Sequence, residues 1–98
     1  MRAADGTLSV RLDPALLHDY VGRYVLGAGV EFAVTVAHDQ LYVQLTGQAA
    51  YPVYARAKDH FFYTAVDAQL GFERDPAGKV VALVLHQNGA DQRAPRRP

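Results

Sequence analysis

The chain contains no cysteine, no tryptophan, a single serine and no net charge. The missing cysteines exclude disulfides, thiolate metal sites and a cysteine nucleophile. They leave the compartment open, because exported proteins also lack cysteine. Ten basic and ten acidic residues cancel, so no overall field draws the chain to nucleic acid or to an anionic membrane. The longest apolar run, Val80–Leu85, falls far short of the roughly 20 residues that a membrane-spanning helix needs. Met1–Val10 has no apolar core and no signal-peptide form. As written the chain is expected to stay where it is made; cut from a longer precursor, it could equally be exported, so its localisation is open.

What is present points to one small globular domain. Ninety-eight residues make a single domain, able to bury roughly 60–65% of its unfolded surface. Half of the residues are hydrophobic and a fifth charged, a balance of globular rather than disordered chains. Residues 1–11 read as a flexible lead or linker, 12–95 as the domain, and 96–98 as a tail. Arg93, Arg96 and Arg97, set among prolines, are expected to be frayed and solvated.

Asp13-Pro14 opens a short helix. The aspartate can cap it, and proline suits the first helical position because its missing N–H has no partner there anyway. Leu16, Leu17, Tyr20 and Val21 share a helical face, and Gly22 is expected to stop it. Strand signals then follow in quick succession. They are Arg23–Leu26, Val30–Val36, Leu41–Leu45, Tyr51–Ala55, His60–Ala65, Gln69–Glu73, Val80–Gln87 and Ala90–Ala94.

Val30, Phe32, Val34 and Val36 share one face of their strand; Leu41, Val43 and Leu45 share one face of the next. Leu70 and Phe72 are candidates to point inward, and Gly71 between them to mark a bend. Pro52 places its strand at an edge, at a late start or at a bulge. Val80–Gln87, apolar on both faces for most of its length, is expected to be the most buried. Asp75-Pro76-Ala77-Gly78 suits a type I turn and Asn88-Gly89 a two-residue hairpin. Because nearly every connection is short enough for a hairpin, the expected fold is all-β. It is a small antiparallel up-and-down β-barrel of eight or so short strands with one short N-terminal helix. Rolling into a barrel also protects the sheet edges.

Leu12-Asp13-Pro14-Ala15-Leu16-Leu17 followed by Tyr20-Val21-Gly22-Arg23-Tyr24 resembles the opening of a domain found behind β-lactamase-like serine hydrolases. These are the enzymes related to penicillin-binding proteins and D-aminopeptidases. Leu41-Tyr42-Val43-Gln44 with Gly47-Gln48, Phe61-Phe62, Phe72 with Arg74-Asp75, and Leu83-Val84-Leu85-His86-Gln87-Asn88-Gly89 continue the resemblance in order. It implies a lipocalin-like barrel, of a domain family of unknown function, that accompanies a catalytic domain and is not itself a catalyst. The catalytic Ser-x-x-Lys motif of those hydrolases does not occur, because Ser9 is followed by Val10, Arg11 and Leu12. The implied partner is therefore such a hydrolase domain, in the same polypeptide or supplied separately.

The residues themselves offer little catalytic chemistry. His18, His38, His60 and His86 form no close ligand pair such as His-x-His, so any metal site would have to be made by the fold. No metal and no cofactor are expected, and His86 reads as a strand-end histidine satisfied by hydrogen bonds. A serine triad would need Ser9, in the lead. The carboxylates Asp13, Asp19, Glu73 and Asp75 read as cap and surface groups. Gly27-Ala28-Gly29 precedes no helix and is no phosphate cradle.

Six tyrosines and four phenylalanines carry more promise, as core filling or as the lining of a cavity or binding face. Tyr42, Gln44, Tyr51, Tyr54, Phe61, Tyr63, Phe72 and His86 are the candidate contacts for a ligand or partner. With only Arg56 and Lys58 nearby as cations, the aromatics lack the basic groove of a single-strand nucleic-acid binder. The leading function is an accessory domain of a hydrolase, ahead of a lipocalin-like binder of a small apolar ligand and, last, an independent enzyme. The first calls for a filled interior and an exposed apolar patch, the second for a hollow one.

Overall fold

The computed structural model describes residues 8–98. The lead reading for residues 1–7 lies outside them. A four-residue helix, α1 (Pro14–Leu17), and a 3-10 turn (His18–Tyr20) precede eight strands. These are β1 (Gly22–Gly27), β2 (Val30–Ala37), β3 (Gln40–Leu45), β4 (Ala50–Ala57), β5 (His60–Tyr63), β6 (Gln69–Arg74), β7 (Val80–Gln87) and β8 (Ala90–Pro95). Every strand pairs antiparallel with its sequence neighbours, in the order β1 to β8. The sheet curls into a nearly closed barrel, as the run of hairpin signals implies.

Local chemistry explains the turns. His38 (φ 51°) and Asp39 (φ 60°), like Asn88 (φ 54°) and Gly89 (φ 75°), hold two successive left-handed residues. That geometry matches the twist of the flanking strands, and Asn, Asp and Gly tolerate it best. In the β6–β7 turn the Gly78 N–H donates to the Asp75 carbonyl at 2.9 Å, and the Asp75 carboxylate accepts from Ala77 and Lys79. Pro52 sits on the stretch of β4 that pairs with β3 but runs past the end of β5. It thus stands where β4 is paired on one side only, the edge position proline tolerates.

Three expectations are corrected. Gly22 does not stop the helix, which gives way to the 3-10 turn before it; Gly22 begins β1, opposite Val34. Its bareness serves a close approach, since a Cβ there would lie 2.9 Å from Arg96 Nε. Gly71 marks no bend: pairing runs straight through it, and the register shift in β6 falls at Glu73/Arg74.

The third correction concerns the terminal arginines, which are not frayed, although the Arg93 and Arg97 side chains remain about half exposed. Arg96 bridges Tyr24, and the Arg97 N–H donates to the Arg23 carbonyl at 2.8 Å. The Arg96 guanidinium donates to the carbonyls of Val21 and Val80, and Arg93 pairs with Glu73 at 3.0 Å. The last residues therefore close the barrel against β1. At the other terminus, the Val10 N–H donates to Ala55 O at 2.8 Å and ties the residues before α1 to β4.

The interior is packed with the alternating residues named above: Phe32, Val34, Leu41, Val43, Leu70 and Leu83 are each at most 1% exposed. Because the strands run up and down, their turns alternate between two ends. One end carries the turns at residues 38–39, 58–59 and 75–78 together with α1 and the 3-10 turn. The other carries those at 28–29, 46–49, 64–68 and 88–89.

Candidate functional site

At the helix end, aromatic rings fill the barrel. Tyr20 packs on Phe61 at 5.1 Å and on Phe72 at 4.5 Å between ring centroids. Tyr24 joins them from β1, 5.8 Å from Phe72, and donates its hydroxyl to the Tyr20 carbonyl at 2.7 Å. Phe61 and Phe72, two of the residues singled out from the sequence, are thus core groups.

Above this plug lies a polar network that the sequence did not announce. Tyr20 donates its hydroxyl to Asp59 Oδ1 at 2.8 Å and accepts from the Asp59 N–H at 3.1 Å. Arg74 Nε reaches both Asp59 oxygens, and its Nη1 reaches Asp19 and the Gly78 carbonyl. Burial by itself lowers the Arg74 pKa, but the hydrogen bonds to Asp59, Tyr20 and Asp19 outweigh it and hold it above its ordinary value. The Arg74 Nη2 is buried with no acceptor, while the guanidinium carbon stands 5.5 Å from the Tyr20 ring centroid. The ring face compensates part of the lost hydration. Asp19 and Asp59 are thus both held by Arg74, and beside this network a concavity of about 270 Å³ lies between α1 and the turn at 38–39, lined by Leu12, Pro14, Leu17, Asp39 and Gln40 among others.

The opposite end is open. A mouth of about 300 Å³ is lined by Phe32, Val43, Leu45, Tyr51, Tyr63, Val66 and Leu85, with Gln48 and Gln87 at its edge. Tyr51 and Tyr63 come from neighbouring strands and meet edge to face at 6.4 Å. Burial pushes the Tyr63 phenol up to about 12, yet its hydroxyl makes no hydrogen bond among the described residues. A phenol so placed is a ready donor to a group entering the mouth. At its edge Val66 is among the more exposed large apolar residues, while Val25 and Val30 border a separate concavity with Glu31, Thr46 and Arg97.

The remaining candidates point outward. Tyr42 and Gln44 alternate with the core residues Leu41 and Val43, Tyr54 with Val53 and Ala55, and His86 with Leu85. Tyr54 packs on Phe62, 6.1 Å between centroids; Phe62 faces outward yet is almost wholly covered. His86 Nδ1 is bonded to Asp91 Oδ1 at 2.6 Å. The eight sequence candidates therefore divide among core, mouth and outer wall, and form no single site. The mouth residues Gln48, Val66, Leu85 and Gln87 escaped sequence reading because alternation shows which face they share but not which end of the barrel they occupy. Among the described residues, no group of three or more histidine or acidic side chains is placed to hold a metal.

The family model for a domain of unknown function, DUF3471, matches residues 9–95. The chain belongs to the DUF3471 family. The resemblance carried by Leu12–Gly89 is thereby confirmed. This DUF3471 domain is also 28% identical over 86 residues to penicillin-binding protein 4* of Bacillus subtilis (strain 168). The match covers 87% of the chain but only 19% of that relative. The domain thus corresponds to about a fifth of a longer protein.

Proposed function

We propose that this DUF3471 barrel is a non-catalytic accessory domain that packs against a β-lactamase-like serine hydrolase domain, in the same polypeptide or supplied separately. The observation that carries the reading is the match to a fifth of a penicillin-binding protein. The contact falls at the open mouth. The mouth offers an apolar concavity with the exposed Val66 at its edge, and apolar surface left bare on a small domain favours a partner. An apolar projection of the hydrolase fills the mouth, which fixes the barrel beside the catalytic cleft and shapes access to it.

The test is calorimetric titration of the barrel into a β-lactamase-like hydrolase domain from the same source, repeated with Val66→Glu. Association that the substitution abolishes, with the barrel's Tm unchanged, supports the reading. No association, and no change in the hydrolase's Tm or turnover when the two are fused, overturns it.

One observation favours a second reading: among the described residues the Tyr63 hydroxyl has no hydrogen-bond partner, in a mouth whose floor is apolar and whose edge carries Gln48 and Gln87. Its volume is at the lower limit for small-molecule sites, about 300 Å³. A small apolar molecule with one acceptor fits this chemistry.

A further inference from the structure

Two histidines from different strands meet over a residue that has no side chain. His60, on β5, is directly opposite Gly71 of β6. His86, on β7, lies on the other side of β6, opposite Gln69. Both alternate with core residues, Phe61 and Leu85, and so stand on the outer wall. A Cβ at Gly71 would lie 3.5 Å from His86 Nε2 and 3.7 Å from His60 Nδ1. Two ring nitrogens thus lean over one point from either side of the strand.

Nothing in the backbone asks for glycine there. Gly71 has no positive φ, and its pairing is unbroken on both sides. A glycine inside a strand weakens it, and often marks a place where another group approaches closely. Here the approaching groups are the two imidazoles.

His86 is also held from behind by a carboxylate. Asp91 Oδ1 lies 2.6 Å from His86 Nδ1; in the neutral ring the carboxylate keeps the proton on Nδ1, so Nε2, the atom nearest Gly71, is the one able to take a metal. A carboxylate behind a histidine is how metal-binding histidines are oriented and made more basic. The carboxylate further along the same face of β6, Glu73, is already held by Arg93.

We propose that His60 Nδ1 and His86 Nε2 bind a divalent transition-metal ion, zinc or copper, above Gly71. Asp91 orients His86, and water or a carboxylate of a partner completes the coordination. Imidazole suits these ions, which bind it at about 2.0–2.1 Å, and both rings stand on the exposed wall, free to turn toward a shared ion. The sequence expectation of no metal rested on the absence of closely spaced histidines; strand pairing supplies the closeness. The inference is independent of the accessory reading, since it uses only this wall of the barrel.

The experiment is calorimetric titration of the chain with zinc chloride alone, with melting curves on every variant to confirm folding. One ion per chain is expected. His60→Ala and His86→Ala should each weaken binding about tenfold or more, and Asp91→Asn by about 10–100-fold. Gly71→Val, which fills the space between the rings, should weaken it comparably. His18→Ala and His38→Ala, at positions that strand pairing does not bring to Gly71, should bind as the parent does. No binding at millimolar zinc, or binding that survives His60→Ala and His86→Ala, overturns the proposal.

Discussion

Tyr24 and Arg96 face each other across the seam of the barrel, with the guanidinium carbon 5.8 Å from the tyrosine ring centroid. The pair joins the first strand to the end of the last. Around it, Arg96 donates to the Val21 and Val80 carbonyls, and Gly22 leaves the room in which the guanidinium lies. Arg96→Ala should lower stability by about 2 kcal/mol, the scale of hydrogen bonds made by a charged group. In a domain of this size that corresponds to a Tm about 10 °C lower, measured by thermal melting. Gly22→Ala should act in the same direction, because its methyl displaces Arg96, with a loss of about 1–3 kcal/mol.

The aromatic plug makes a sharper contrast among the residues singled out from the sequence. Phe72 touches Tyr20, Tyr24 and Phe61, so Phe72→Ala should cost about 3–5 kcal/mol. That is a large share of the roughly 5–15 kcal/mol that holds a domain together. Tyr54→Ala, on the outer wall, should cost about 1 kcal/mol. Urea unfolding of both variants gives the comparison; equal losses would mean that Tyr54 carries core weight.

Alkaline pH should unfold the protein through its buried phenols. Burial raises Tyr24 and Tyr63 to about 12, and raises Tyr20 as well. In the unfolded chain a phenol loses its proton near pH 10. Between about pH 10 and 12 the unfolded state has therefore lost protons that the folded state keeps, and the equilibrium moves toward unfolding. Stability should be full below pH 10 and fall as the pH rises to 12. Absorbance at 295 nm should show Tyr20, Tyr24 and Tyr63 ionising only with the loss of circular dichroism. Tyr63→Phe should reduce this sensitivity.

The mouth should take up an apolar fluorescent dye. Emission should rise with the folded protein, fall on Val66→Glu, and stay unchanged on Tyr42→Ala, because Tyr42 lies on the outer wall. A dye response that ignores Val66→Glu would place the apolar surface elsewhere.

Much of the fold is local and was legible without coordinates. The two-residue period of Val30–Val36 and Leu41–Leu45 marks half-buried strands, and Asn88-Gly89 closes a hairpin because its residues tolerate positive φ. Short turns leave antiparallel neighbours as the pairing, which makes a meander, and the ordered motifs from Leu12 to Gly89 carry the family.

Tertiary structure decided whatever depends on which distant residues meet. Alternation places Phe72 and Tyr63 alike on the inside; only closure of the barrel puts one in the plug and the other in the mouth. Asp59 and Lys58 look like an ordinary turn until the barrel brings Asp59 under Tyr20 and Arg74. The arginines near the C-terminus read as a solvated tail, because the seam they seal joins residues more than 70 positions apart, as from Arg96 to Val21. His60 and His86 show no relation in sequence, yet flank Gly71 once three strands lie side by side. Local periodicity sets the element, its faces and its turns; sheet curvature and closure, which no short window contains, set the neighbours.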